Sequence, residues 1–404
     1  MSGLTINAAK SFIFFGGVGE DTKRAMLLHT GFAEGSFSFK YLGVPLSPHR
    51  LLASQYHPLL QKLESCIQSW LGKHLSYAGR LVLIKSVLHG MVQLWLSIFP
   101  MPSIVISKIT SLCRNFLWSG NPQSNKSALV AWKQVCLPLN EGGLGIRDIT
   151  ARNKCLLARH LWNIHLKSDS LWIRWVHHFY LTHGTIWSSR AHKSSSPLCK
   201  AILLLKDQLL NDCGGNAEAV NMLQTWHNGR KFTANAHEHF RFKGSTIHWE
   251  KVVWELWSLP RHNFILWLAV LGKLKTKDRL HYISPDTQCS FCRQEEETHG
   301  HLFFACARTS TLWGKVKYWL RLTRNMASLT SAIRAMNNNK KGLQSRMKRV
   351  GLALVVYIIW EERNRRVFEN AGKSIDVLFR KFQILFYTVL YFHDNNHLAY
   401  NVAD

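Results

Sequence analysis

The spacing of apolar residues changes several times along the chain. Ser11-Phe12-Ile13-Phe14-Phe15 is an apolar run stopped by Gly16-Gly17, and residues 39–46 form a second β-prone stretch closed by Pro45. Both predict short strands and turns over residues 1–48. From residue 51 to 99 the period becomes helical. Leu59, Leu63, Cys66, Ile67 and Trp70 follow one helical spacing, Leu81, Ile84, Val87 and Leu88 another, with a polar turn over 73–76 between them. A third helix is predicted over 104–118, ending at Ser119-Gly120-Asn121-Pro122. After the glycine turn Glu141-Gly142-Gly143-Leu144-Gly145, helical patterning runs past Trp162 and Trp175.

Residues 183–231 contain two stretches rich in Ser, His and Gly, which predicts a linker or connecting region. A second unit begins at residue 232, is Trp-rich from 249 to 267, and leads into a mostly helical stretch over 312–392, broken by a loop over 337–342. No internal repeat of fixed period is present. The expected fold class is mainly α with minor β. The longest uncharged apolar run, 350–360, is too short to cross a bilayer and predicts a buried helix. Residues 1–19 lack the pattern of a secretory leader, so the chain is expected to be intracellular and nuclear, with no signal peptide or transmembrane segment.

Composition alters this picture in one respect. The 404 residues carry 51 Lys and Arg against 24 Asp and Glu, a net charge of +27. Such an excess favours a polyanionic partner, and with 47% apolar residues the chain has ample material for packed cores and is no disordered basic tail. Six of its nine cysteines, Cys66, Cys113, Cys136, Cys155, Cys199 and Cys213, are scattered singly, as expected of reduced thiols.

The other three are clustered as Cys289-x2-Cys292-x8-His301-x4-Cys306. This spacing brings three thiolates and an imidazole within reach of one tetrahedral zinc ion, with no position left open, so the expected metal is a structural Zn2+. His299 competes with His301 for the third place, and His301 is preferred because His-x4-Cys is the second half of a zinc knuckle. The alternative is three buried thiols beside incidental histidines. Basic residues gather around the cluster: Lys273, Lys275, Lys277 and Arg279 before it, then Arg346, Lys348 and Arg349, and Arg363, Arg365 and Arg366. The last 104 residues hold 17 basic and 6 acidic residues. These side chains are candidate phosphate contacts for RNA or DNA, bound with little sequence preference and with no membrane involved; the alternative for each is a solvated face. The Trp residues nearby are read chiefly as core, and Glu295-Glu296-Glu297 as a solvated turn.

Two-metal polymerases and nucleases need converging carboxylates. No Asp-Asp pair occurs in the sequence, and neither a phosphate-cradling Gly-x4-Gly-Lys-Ser/Thr loop nor a Gly-x-Ser-x-Gly elbow is present.

Ser2-Gly3-Leu4-Thr5-Ile6-Asn7 with Lys10-Ser11, then Phe39-Lys40-Tyr41-Leu42-Gly43-Val44-Pro45-Leu46, Leu75-Ser76-Tyr77-Ala78-Gly79-Arg80, Phe116-Leu117-Trp118-Ser119-Gly120, Trp132-Lys133-Gln134-Val135-Cys136 and Glu141 to Arg147 occur in order. Together they resemble the downstream part of plant non-LTR (LINE-type) retrotransposon reverse transcriptases. Trp267, Thr276, Arg279-Leu280, the Cys/His cluster, His301-Leu302-Phe303-Phe304 and Trp313 resemble the reverse-transcriptase zinc-binding domain of the same elements, and Ile359-Trp360-Glu361-Glu362-Arg363-Asn364 the segment that follows it.

The resemblance implies the last palm strands over 1–48, a thumb-like helical region over 49–182, the connecting region 183–231, the zinc-binding domain over 232–320 and a basic helical tail over 321–404. In that family the paired catalytic aspartates lie just upstream of the Ser-Gly-Leu-x-Ile-Asn segment, so no catalytic residue is carried over. The expectation is a non-catalytic fragment that binds RNA or DNA. Two other readings are a polymerase or ribonuclease H component of a larger polyprotein, and a zinc-stapled adaptor for proteins.

Overall fold

The computed structural model describes residue 7 and residues 11–36, 39–41, 43–46, 51–124, 126–182, 184–192, 195–229, 231–280, 285–337 and 342–400. Residues 2–6, Lys10, Leu42 and most of the 337–342 loop, all singled out in the sequence, lie outside this set. Among the described residues the fold is mainly α with minor β, 63% helix and 3% strand.

The elements run in the order β1 (Phe12–Ile13), α1 (Glu20–Thr30), β2 (Ala33–Glu34), β3 (Phe39–Tyr41), β4 (Val44–Leu46), α2 (His57–Gln68), α3 (Tyr77–Leu83) and α4 (His89–Ile98). Then come α5 (Ser103–Ser119), α6 (Trp132–Val135), α7 (Ile149–His165), α8 (Leu171–Tyr180), α9 (Pro197–Cys213), α10 (Asn216–Asn228) and α11 (Phe232–Phe240). The last are α12 (Glu250–Val253), α13 (Pro260–Val270), α14 (Ala307–Trp319), α15 (Leu329–Met336), α16 (Leu343–Phe368) and α17 (Ile375–Tyr400). The chain divides into two compact units, 1–65 with 90–110 and 149–240, and 66–89 with 111–148 and 241–404.

In the first unit the strands are minimal. β1 and β2 pair in parallel with Phe12 opposite Ala33, and β3 and β4 make a hairpin turned at Gly43, whose φ of 79° suits glycine. Helix α1 between β1 and β2 is unexpected; its sequence has no buried face, so no apolar period announced it. The core is built by α7, α9, α10 and α11, through Leu161, Trp162, Ile202, Leu209, Leu223 and Ala236. Residues 183–231, expected as a linker, thus supply two of the helices that close this core. α9 starts on Ser196, whose hydroxyl accepts from Cys199 N, carries Pro197 in its first turn and ends on Gly214 at φ 82°. Of the residues that suggested a linker, Ser196 and Gly214 are the caps of α9, and Ser188 lies in a turn before it. Buried Asn153 on α7 donates to Leu96 O and Phe99 O and accepts from Met101 N, fastening α7 to the end of α4.

In the second unit α16 is the central element. Val350 and Leu352 to Val356, with Ile358 and Ile359, are buried all round the helix, which is why the run predicted a core helix. α13 packs on it, and α17 lays Phe382 and Phe386 against Trp319 of α14, both edge-on. Gly351 permits the close approach: a Cβ there would fall 2.4 Å from Leu320. The glycine turn before α7 is held from two sides. Gly142 and Gly145 take φ of 84° and 65°, and a Cβ on Gly143 would sit 2.0 Å from Leu137 O. Glu141 accepts from both Arg241 guanidinium nitrogens and from Gly244 N, which holds its carboxyl below the usual range, and Gly142 O accepts the indole N–H of Trp267 at 2.9 Å.

One continuous helix, Tyr77–Ile98, comprising α3, a π turn over Ile84–Leu88 and α4, is long and apolar enough to cross a membrane by length and composition. It also carries Arg80, Lys85 and His89, and buries Ile84, Leu88, Val92, Trp95 and Leu96.

Candidate metal centre

The Cys/His cluster is shaped by a short β-like ladder. Gln288 bridges Glu296, Cys289 N donates to Glu295 O at 2.7 Å and Glu297 N to Thr287 O at 2.8 Å, so residues 289–295 close a tight loop. Within it Arg293 takes a φ of 57° and donates to Cys289 O, while Phe291 N points to Cys289 Sγ at 3.4 Å. This folds Cys292 back over Cys289. The second half is a π turn over His301–Ala305, with His301 N bound to Thr298 Oγ1, and Cys306 stands at the N-cap of α14. A helix N-terminus favours a thiolate there.

The donor atoms of Cys289, Cys292, His301 and Cys306 all lie within 4.8 Å of one another. Cys289 Sγ is 3.9 Å from Cys306 Sγ, and Cys292 Sγ is 3.3 Å from His301 Nε2. A tetrahedron with Zn–S bonds of 2.3 Å has S···S edges of about 3.8 Å, so three sulfurs and one nitrogen at these separations fit zinc with no position open to substrate. The cofactor is structural Zn2+. The contact with Cys289 Sγ holds the Cys306 thiol well below its ordinary pKa, and the same contact, with burial, raises that of Cys289. A pair already close to sharing one proton suits a metal that displaces the second.

The surrounding residues reassign the acidic run. Glu295 Oε2 lies 2.9 Å from His301 Nδ1, which places a carboxylate beside the imidazole on the side away from the sulfurs. Glu297, expected on a solvated turn, is fully buried. Its Oε1 accepts from Lys277 N at 3.1 Å and from the Arg363 guanidinium at 2.8 Å, and its Oε2 accepts from Ser290 N at 3.0 Å and from the Ser290 hydroxyl. A carboxylate buried among four donors is a structural bolt, and it joins the metal loop to α16. His299 is elsewhere engaged, with Nε2 2.9 Å from Leu274 O, so the metal set contains His301.

The basic residues separate into two groups. Arg349 is buried against Glu255 at 2.9 Å and Arg363 against Glu297, so both serve the core and neither presents a free face to a phosphate. Arg365 and Arg366 share buried Glu362, and Arg366 also covers the Phe291 ring at 4.7 Å. Nothing local distinguishes Arg349 and Arg363 from surface arginines, because their partners lie 94 and 66 positions away. Lys273, Lys275 and Arg279 are exposed; Lys277 is half-buried and paired with Asp286; Lys348 is half-buried, as is Arg346, whose guanidinium lies over Trp257. Two exposed arginines passed over in the sequence, Arg293 and Arg308, flank a cleft of about 830 Å³ beside the metal loop. Their positions next to Cys292 and Cys306 were the available signal.

Residues 232–313 match the family described as zinc-binding in reverse transcriptase. Over 129 residues the chain is 33% identical to an Arabidopsis thaliana protein named "Putative ribonuclease H protein", an alignment covering 32% of this chain and 21% of that protein. Over 136 residues it is 27% identical to an uncharacterized mitochondrial protein of Arabidopsis thaliana, covering 32% of this chain and 88% of the relative. The chain thus spans about a fifth of the first relative's length and most of the second's. The Cys3His set thus lies within residues 232–313, the stretch of the chain that is similar to a reverse-transcriptase zinc-binding domain.

Proposed function

We propose that the chain binds RNA or single-stranded DNA through phosphate contacts, with zinc holding the binding loop in shape, and that it does no polymerase or nuclease chemistry of its own. The observation that carries this reading is the placement of Lys273, Lys275 and Arg279, exposed on the segment leading into the metal loop, with Arg293 and Arg308 exposed on the loop and just after it. Side chains of this kind displace counterions from a nucleic-acid backbone whatever its sequence. The net charge of +27 supplies the long-range attraction.

Support for the non-catalytic half comes from the carboxylates. The sequence has no Asp-Asp pair, and buried Glu255, Glu297 and Glu362 each face an arginine, so none of the three is offered to a catalytic metal. Retention of labelled single-stranded RNA by the zinc-loaded chain at low salt, together with primer extension on a homopolymer template, tests both halves. The reading expects retention without extension. Extension would overturn its second half, and absence of any retention its first.

A further inference from the structure

Two of the ordered motifs, Leu75 to Arg80 and Phe116 to Gly120, have no part in the metal centre, yet they meet in the second unit. There they line a cleft of about 410 Å³ with the start of α13 and with Tyr357 of α16, a size that holds a small ligand. Four aromatic rings line it. Tyr77 stacks on Phe264 at 5.2 Å, Trp118 lies tilted against both, and Tyr357 completes the set. Three cations line it as well, Arg80, Lys126 and Arg261, and no carboxylate is among its lining residues.

Two details point to a ligand. Arg80 is held in place, with its guanidinium over the Tyr77 ring at 5.4 Å and donating to Leu117 O at 3.3 Å. Gly120, at φ 78°, makes room for it, since a Cβ there would approach the guanidinium to 3.1 Å. This contact explains why the arginine that ends one motif and the glycine that ends the other belong together. The second detail is the indole N–H of Trp118, which is buried, lines the cleft and has no acceptor among the described residues. A buried donor without a partner is costly, and a ligand carbonyl or phosphate oxygen would satisfy it.

We propose that this cleft is a nucleotide subsite: it takes one unstacked base of a single-stranded RNA or DNA against its aromatic rings, with the adjoining phosphates on Arg80, Lys126 and Arg261. Base faces stack on aromatic side chains with little dependence on sequence, and cations at the rim hold the backbone. An acidic peptide would satisfy the cations but leave the rings without a flat partner, so a nucleotide fits the whole set better. Glu361, one turn along α16 from Tyr357, is already committed to Lys381 and to the Tyr357 hydroxyl. This inference rests on the nucleic-acid reading above and adds to it a second contact area, independent of the zinc loop.

The test is photocrosslinking of the zinc-loaded full chain to a 20-residue single-stranded oligouridylate carrying 4-thiouridine, with adducts located by mass spectrometry, beside affinities of the Arg261→Ala and Lys126→Ala variants. Both of these residues are exposed, so the variants keep the fold. Adducts on Tyr77, Trp118 or Tyr357 and at least about a five-fold weaker affinity for the double variant are expected. Competition by uridine monophosphate would identify a free nucleotide as sufficient; adducts without such competition would identify the strand as the ligand. Displacement of the cleft adducts by polyglutamate as readily as by unlabelled oligonucleotide would overturn the proposal. So would an unchanged affinity in the double variant with adducts only near the metal loop, a result that leaves the binding reading intact. If the parent chain retains no oligonucleotide at all, that reading fails first.

Discussion

The guanidinium of Arg363 lies 2.8 Å from the carboxylate of Glu297, and neither side chain is more than 2% exposed. Sixty-six positions separate them. One sits five residues after a metal-binding cysteine and the other inside α16, so this ion pair fastens the zinc loop to the central helix of its unit.

Removing one member leaves the other charge buried without its partner. Glu297→Ala and Arg363→Ala should each lower the stability of the zinc-loaded chain by about 3 kcal/mol, measured by chemical denaturation. The double variant should cost much less than the sum of the two.

The metal set makes a sharper statement. Zinc analysis of the purified chain should return one ion, lost in Cys292→Ser and His301→Ala and kept in His299→Ala. Glu295→Gln should retain the ion with modestly weaker affinity, because the imidazole loses the negative charge 2.9 Å from its Nδ1.

Acid should destabilise the second unit through His262. It is fully buried, packs against the Tyr357 ring at 4.5 Å, and is pushed down to about 3 by burial, with Arg261 and Lys381 adding to the effect. Above pH 6.5 the histidine is neutral in both the folded and the unfolded chain. Between 6.5 and about 3 only the unfolded chain takes the proton, so stability falls as pH drops, by about 1.4 kcal/mol per unit. His89, lowered to about 4 by burial and by Arg147 and Lys85, adds a second contribution of the same sign. Denaturation midpoints of parent and His262→Leu compared at pH 7 and pH 5 isolate this term from protonation of the metal ligands: the variant should show the shallower decline.

The exposed cations predict a salt signature. Replacing Lys273, Lys275 and Arg279 together by Ala should reduce the slope of log affinity against log salt for single-stranded RNA by about 2. Replacing Arg365, which is bound to buried Glu362, should leave the slope nearly unchanged.

What the residues revealed beforehand follows their range of action. Cys289, Cys292, His301 and Cys306 lie within 18 positions at fixed spacing, so a group able to hold a metal ion was readable. The α16 core was readable because its apolar run has no polar face. The roles of Glu297 and Glu255 were not, since a carboxylate bound to an arginine 66 or 94 positions away looks like any other surface charge. The same blindness hid the burial of Arg349 and Arg363 among residues chosen as phosphate contacts. Over 183–231, Ser, Gly and His suggested a connector; Ser196 and Gly214 prove to be helix caps, and the periodic residues between them, Cys199, Ile202, Leu203, Leu205 and Leu209, face the core. Helix α1 carried no signal of either kind.

The most direct test of the central claim is the affinity of the zinc-loaded chain for a fluorescently labelled single-stranded RNA, measured by anisotropy from 50 to 300 mM salt. The account predicts binding at low salt that weakens linearly in log–log form as salt rises. Affinity that is absent at 50 mM, or that stays level across the range, would contradict it.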